Sequence, residues 1–167
     1  GNVYGYATAE ARGIVNNSMI NGDLTNSGNI VAVTTNYISN MSLEVGHTAS
    51  AAASFYAGAV VEGVTSDEIT GNLHNSGSVT ATAGNVFSDL TLTASALGYI
   101  QPSQNAVGIV VSGVGGDINN SGTIDAATNL SINNVTITSL ESDAFIEIND
   151  NATGLLLTDD VIGDVIN

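Results

Sequence analysis

One short phrase occurs three times in this chain, and its recurrence limits the possible folds more than any composition figure does. It runs Gly22-Asp23-Leu24-Thr25-Asn26-Ser27-Gly28-Asn29-Ile30-Val31-Ala32. It returns as Gly71-Asn72-Leu73-His74-Asn75-Ser76-Gly77-Ser78-Val79-Thr80-Ala81 and as Gly116-Asp117-Ile118-Asn119-Asn120-Ser121-Gly122-Thr123-Ile124-Asp125-Ala126. Its final glycine comes back after 49 and then 45 residues. A period of this size marks stacked units, none of which buries its apolar face alone. Polar Asn, Ser and Thr alternate with apolar residues, a pattern of short strands closed by Asn/Gly turns. The expected fold is all-β: a parallel β-solenoid, or β-helix, with repeats of about 45–50 residues. A narrow coil is shorter than this period, so about two coils per repeat are expected, each rising roughly 4.8 Å. Residues 1–167 then form a single domain. It comprises a partial repeat 1–28, repeats ending near Gly77 and Gly122, and a truncated last repeat 123–167.

Charge settles which side of each strand faces the core. Val31, Thr80 and Asp125 occupy one position after the turn, and an unpaired buried Asp is costly, so that position faces out. Ile30, Val79 and Ile124 then face in, with Ala32, Ala81 and Ala126. Leu24, Leu73 and Ile118 form another inward column, and Ile20, Ile69 and Val114 a third. Asn26, Asn75 and Asn120 are placed to stack as an amide ladder along the rod, the alternative being ordinary polar turns. A second landmark is read at Gly13, Gly58, Gly108 and Gly154. On that alignment the interval from Gly58 to Gly71 is the longest, and its excess, with Glu62, Asp67 and Glu68, is expected to be an acidic surface loop. Alanine-rich 48–53 is read as strand.

The 167 residues carry 16 acidic side chains against one basic residue, Arg12, for a formal net charge of −15. Nucleic acid and anionic membranes are polyanions, so neither is an expected partner. No stretch is long and apolar enough to span a bilayer, so no membrane insertion is expected. There is no Cys, which removes thiolate chemistry and disulfides. Gly1 begins in mid-pattern, which suggests part of a larger precursor.

The copy at 116–126, Gly-Asp-Ile-x-Asn-Ser-Gly-Thr-Ile-x-Ala, resembles the repeats in passenger regions of bacterial autotransporters and related large surface adhesins. The resemblance covers most of the chain and implies a secreted parallel β-solenoid at a cell surface or assembled outside the cell. It implies no catalytic residue. The chain departs from that pattern in having no membrane β-barrel segment.

The two ends are the candidate site. Gly163-Asp164-Val165-Ile166-Asn167 matches Gly22-Asp23-Leu24-Thr25-Asn26, and Gly1-Asn2-Val3 matches Gly28-Asn29-Ile30. Neither end carries a recognisable cap. Val161, Ile162, Val165 and Ile166 are expected to leave one apolar end, and Val3, Tyr4 and Tyr6 the other. Complementary open ends make a heterologous contact that does not close, giving a head-to-tail homopolymer. The expected function is thus an extracellular structural subunit of a surface filament, with the chain's own copies as partners. A piece of a longer solenoid would share these open ends. The alternative is the stalk or binding module of a secreted adhesin for a host or glycan receptor, acting through loops at Glu62–Glu68 or Tyr99–Asn105, with Tyr56 and Tyr99 as aromatic candidates. No enzyme is expected: His47 and His74 lie apart, His74 at an outward turn position, and no carboxylate pair is marked by a motif. No cofactor is required. Ca²⁺ is the one candidate ion, with Asp150, Asp159, Asp160 and Asp164 as ligands beside Glu141, Asp143 and Glu147.

Overall fold

The computed structural model describes residues 2–45, 51–140 and 143–167. It is 76% strand, with no helix among the described residues, and every strand pair is parallel. Three sheets form the faces of a parallel β-solenoid. The first contains β1 (Val3–Asn16), β4 (Ala52–Ser66), β7 (Leu97–Val111) and, above β7, β10 (Ala144–Ile146) and β11 (Asn149–Leu157). The second is narrow: β2 (Leu24–Asn26), β5 (Leu73–Asn75), β8 (Ile118–Asn120) and β12 (Val165–Ile166). The third is β3 (Asn29–Glu44), β6 (Ser78–Ala94) and β9 (Thr123–Ser139). The first two faces thus have four rows and the third has three.

The expected two coils per repeat are corrected to one. Asn29 pairs with Ser78, and Ser78 with Thr123, so each strand lies directly on its own equivalent in the next repeat. Two coils would place partners about half a period apart. The reason is strand length: β1 has 14 residues and β6 has 17, so two long faces use up most of a repeat. The cross-section is wide.

The long third face bends at one column. Asn40, Asp89 and Asn134 all adopt positive φ, between 51° and 53°. Asn and Asp tolerate this conformation better than other side chains. The Asn134 amide donates to Asp89 Oδ1 at 2.6 Å, so the bend is pinned between coils.

Register confirms the strand parity. Ile30–Val79–Ile124 and Ala32–Ala81–Ala126 are inward columns, while Val31 and Asp125 are exposed. Leu24–Leu73–Ile118 is another inward column, and Ile20–Ile69–Val114–Val161 runs up a corner as single bridges. The middle coils bury their side chains completely, as at Phe55, Phe87, Leu92 and Ile100. Fully burying a side chain of this size contributes about 1.5–3 kcal/mol, so the middle of the rod holds most of the stability.

Two alignments are also corrected. The partner of Gly13 is Gly63, not Gly58, because Arg12 pairs with Glu62 and Ile14 with Val64. The supposed long acidic loop then vanishes: Glu62 lies within β4, and only Asp67 and Glu68 follow the strand. Tyr99–Asn105 is strand as well, within β7. Of segment 48–53, residues 48–50 lie outside the described residues, and Ala52 and Ala53 open β4.

Candidate functional site

The turn asparagines form a hydrogen-bonded ladder with one more rung than expected. Asn26 donates to Asn75 Oδ1 at 2.8 Å, Asn75 to Asn120 Oδ1 at 2.7 Å, and Asn120 to Asn167 Oδ1 at 2.5 Å. The amide polarity therefore points the same way at every rung, toward the C-terminal end. Asn167 is the fourth rung, accepting through its Oδ1. At the bottom, Asn26 Oδ1 accepts from the Gly28 backbone N–H at 3.1 Å.

A second ladder runs along the first residues of the phrase. Asp23 Oδ1 accepts from the Asn72 backbone N–H at 2.7 Å, Asn72 Oδ1 from Asp117 N–H at 2.7 Å, and Asp117 Oδ1 from Asp164 N–H at 3.0 Å. Each side chain thus caps a backbone donor one coil above. The carboxyl group of Asp164 stands at the open end of this series. A third ladder is buried: Asn36 donates to Asn85 Oδ1 at 3.0 Å and to Gly58 O at 2.7 Å. Asn85 in turn donates to Ala57 O and Ser103 O. Such satisfied amides fix the register between faces, because a slipped coil would bury unpaired polar groups.

A glycine column marks where coils come closest. A Cβ on Gly13 would lie 2.4 Å from Gly63 O, one on Gly63 2.5 Å from Gly108 O, and one on Gly108 2.5 Å from Gly154 O. Only glycine fits beneath such a carbonyl. Gly154 is the exception: a Cβ there would meet nothing nearer than Ile124 Cγ2, at 3.7 Å. The reverse pattern appears at the phrase glycines. A Cβ on Gly77 or Gly122 would lie 2.0 Å from the carbonyl one coil below, while Gly28 has nothing within 4 Å. Each end thus keeps a glycine in a space that an added coil would close.

The expected end residues divide by register. Val161 continues the Ile20 column and Val165 the Leu24 column, so both belong to the open core at the C-terminal end. Ile162 is 82% exposed and lies outside that core. Ile166 follows Thr25, His74 and Asn119 in an outward column. At the other end Val3, Tyr4 and Tyr6 lie on β1, with both tyrosines on the outer face. Asn2 accepts from Ala52 N–H at 3.0 Å and donates to Tyr4 Oη at 2.7 Å. Gly1 lies outside the described residues. The proposed equivalence of Gly1-Asn2-Val3 with Gly28-Asn29-Ile30 is corrected: Val3 pairs with Ala53 on the first face, whereas Ile30 pairs with Val79 on the third. The letters match but the faces do not.

The Ca²⁺ candidates do not converge. Asp150 sits in the inward Ala9–Ala59–Gln104 column of the first face, Asp159 and Asp160 sit at the next corner near Glu68, and Asp164 belongs to the capping ladder. Among the described residues, no three His, Asp or Glu side chains come close enough to hold a metal ion. Glu141 and His47 lie outside the described residues. Beneath Asp150, Gln104 is 1% exposed, and its buried Oε1 has no hydrogen-bond partner. Partial desolvation there pushes the Asp150 carboxyl above the usual Asp range.

The Asp23 capping ladder and the buried Asn36–Asn85 pair went unread in sequence, and the Gly13 column was read with Gly58 in the place of Gly63. A signal existed for the first, since Asp or Asn follows glycine in every copy. No protein-family model, curated protein or solved structure matches the chain.

Proposed function

We propose that this chain is an extracellular, non-enzymatic structural protein that extends a surface fibre by stacking head to tail on copies of itself. One observation carries the reading: the C-terminal coil presents, column by column, the groups that the N-terminal coil needs below it. Phe145 stands in the column of Tyr4, Gly154 in that of Gly13, Val165 in that of Leu24, and Asn167 in the ladder of Asn26. A copy set on top in the same register places its Asn26 Oδ1 over the Asn167 amide. Its Gly13 carbonyl fills the space above Gly154, and its Asp23 N–H meets the Asp164 carboxyl. The join is made on two faces. The third face keeps a gap one strand wide above β9, so the junction is weaker than contacts inside the chain.

The fibre would have no use for a polyanion as partner, since every added copy brings a formal charge of −15. Electron microscopy and sedimentation of the purified chain at neutral pH and moderate salt test the reading. Uniform fibres that disappear on deleting residues 161–167 are expected. Monodisperse short rods at all concentrations would refute it and favour a stalk segment of a larger adhesin.

A further inference from the structure

The outer surface of the first face gathers most of the aromatic groups that the core does not use. Tyr4 and Tyr6 lie on β1, Tyr56 on β4, Tyr99 on β7 and Phe145 on β10. Tyr4 and Tyr6 stand side by side along β1, with centroids 6.1 Å apart, while Tyr6–Tyr56, at 6.0 Å, and Tyr99–Phe145, stacked at 5.5 Å and 10°, are axial pairs. By register they fall in two adjacent outward columns, Tyr4–Ser54–Tyr99–Phe145 and Tyr6–Tyr56–Gln101. Each of the four coils thus offers at least one ring to the same side. Packing does not demand this, since the core is filled by aliphatic side chains, Phe55 and Phe87.

Beside this strip the face is concave. Gly58 has no side chain, and the Tyr56 ring lies over it: a Cβ there would be 3.0 Å from Tyr56 Oη and 3.1 Å from Cε1. The hollow is bordered by Tyr56, Gly58 and Val60 on one strand and by Thr8, Glu10 and Arg12 on the next. Arg12 is held between Glu10 Oε1, at 2.5 Å, and Glu62 Oε2, at 3.0 Å. Glu62 also accepts from Thr65 Oγ1 at 2.9 Å. The site therefore offers an aromatic floor and a rim of fixed, planar, hydrogen-bonding groups.

We propose that this strip binds a neutral oligosaccharide laid along the axis of the solenoid. A pyranose has an apolar C–H face that packs on an aromatic ring, while its equatorial hydroxyls pair with carboxylate and guanidinium edges. Tyrosine supplies rigid contact area at low entropy cost. Charge selects against acidic glycans, because the only cation is already neutralised by two carboxylates in a chain of net charge −15. A protein partner has less apolar surface to hold here, since among the outward neighbours of the rings Ser54 is buried and Gln101 and Ser103 are polar, which leaves Val60 as the exposed aliphatic beside them. The strip faces sideways from the rod, and its end rings, Tyr4 and Phe145, are the ones that would meet at a head-to-tail junction.

Isothermal titration with maltohexaose, cellohexaose and chitohexaose, and with oligogalacturonate as the anionic comparison, tests this. Binding of at least one neutral chain is expected, little changed by salt. The pair Tyr6→Ala and Tyr56→Ala should weaken it about tenfold or more, which corresponds to about 1.4 kcal/mol. The Tyr6→Phe and Tyr56→Phe pair should retain most of the affinity, because the ring faces remain. Tyr37→Ala, which removes an equally exposed ring on the third face, should leave it unchanged. No binding of any neutral chain, binding of oligogalacturonate alone, or an equal loss in Tyr37→Ala would each overturn the proposal.

Discussion

Alanine at two glycines of one column separates folding from assembly. In Gly108→Ala the new methyl would meet Ile124 Cγ2 at 2.4 Å and the Gly154 carbonyl oxygen at 2.5 Å. Ile124 is part-buried on β9, and Gly154 lies on the last coil, in β11, where its carbonyl cannot move without its strand. Overpacking of this kind costs about 1–3 kcal/mol, against a gain of about 0.4–1 kcal/mol from a stiffer unfolded chain. The net expectation is a loss of roughly 1–2 kcal/mol. In Gly154→Ala the nearest atoms are 3.7 and 3.8 Å away, an ordinary contact. Only the gain remains, so the isolated chain should be about 0.4–1 kcal/mol more stable. In a head-to-tail junction the same methyl would meet the next copy's Gly13 carbonyl as the Gly108 methyl meets Gly154. The overpacking cost then falls on association, and about 1–3 kcal/mol weakens each junction about 5- to 150-fold. Urea titration of unpolymerised protein and pelleting across a concentration series measure the two effects. A Gly154→Ala chain that is no less stable yet needs far more protein to form fibres is the expected result. Fibres at the wild-type concentration would refute the stacking register, and a Gly108→Ala chain of full stability would refute the packing argument.

Other outcomes follow from the ladders and the carboxylates. Asn75 is 2% exposed and takes part in two ladder bonds, so Asn75→Ala should cost about 2–4 kcal/mol in denaturant titration, and the end rung Asn26→Ala only about 1. Equal costs would show that the ladder is not a stabilising series. Because the Asp150 carboxyl is raised by desolvation, the folded state holds its proton more tightly than the unfolded one, and stability falls as pH rises through that interval and stays lower above it. Asp150→Asn removes this dependence and offers Gln104 Oε1 a donor, so thermal unfolding should show it more stable than wild type at neutral pH. The advantage should shrink below the ordinary Asp range, and one that is the same at every pH would contradict the assignment. Since no three carboxylates converge among the described residues, millimolar Ca²⁺ should raise the melting temperature no more than Mg²⁺ does.

The fold class was legible because the repeat is nearly literal. One phrase fixed the period, and one charged residue, Asp125, fixed the parity of a whole face. Coil width was not legible, since a period of 45 or 49 residues is compatible with one wide turn or two narrow ones, and strand length decides between them only in three dimensions. The Gly58 misalignment arose because Gly58-Ala59-Val60-Val61 resembles Gly108-Ile109-Val110-Val111 more closely than the true partner, Gly63-Val64-Thr65-Ser66, does. Backbone proximity selects a glycine, and a glycine bears no side chain to show the difference. The end residues were read by apolar character, which found Val161 and Val165 but could not tell them from the outward Ile162 and Ile166. The Asn ladder was legible at three rungs, and Asn167, set among the end residues, is its fourth rung.

One wide coil per repeat also dictates how the rod comes into being. Val79 waits 45 residues for Ile124, and Tyr6 waits 50 for Tyr56. Among the described residues no strand has a partner nearby in the chain, so every step begins with closing a loop of nearly fifty residues, at about 3.4 kcal/mol beyond a constant. That places the chain among slow, non-local folders. Growth on a preformed coil is easier than starting one, because only a template adjacent to the new strands returns their burial at once. The rod therefore lengthens in whole turns. A chain emerging from a narrow exit gains nothing until an entire circuit is outside, and then gains a full turn.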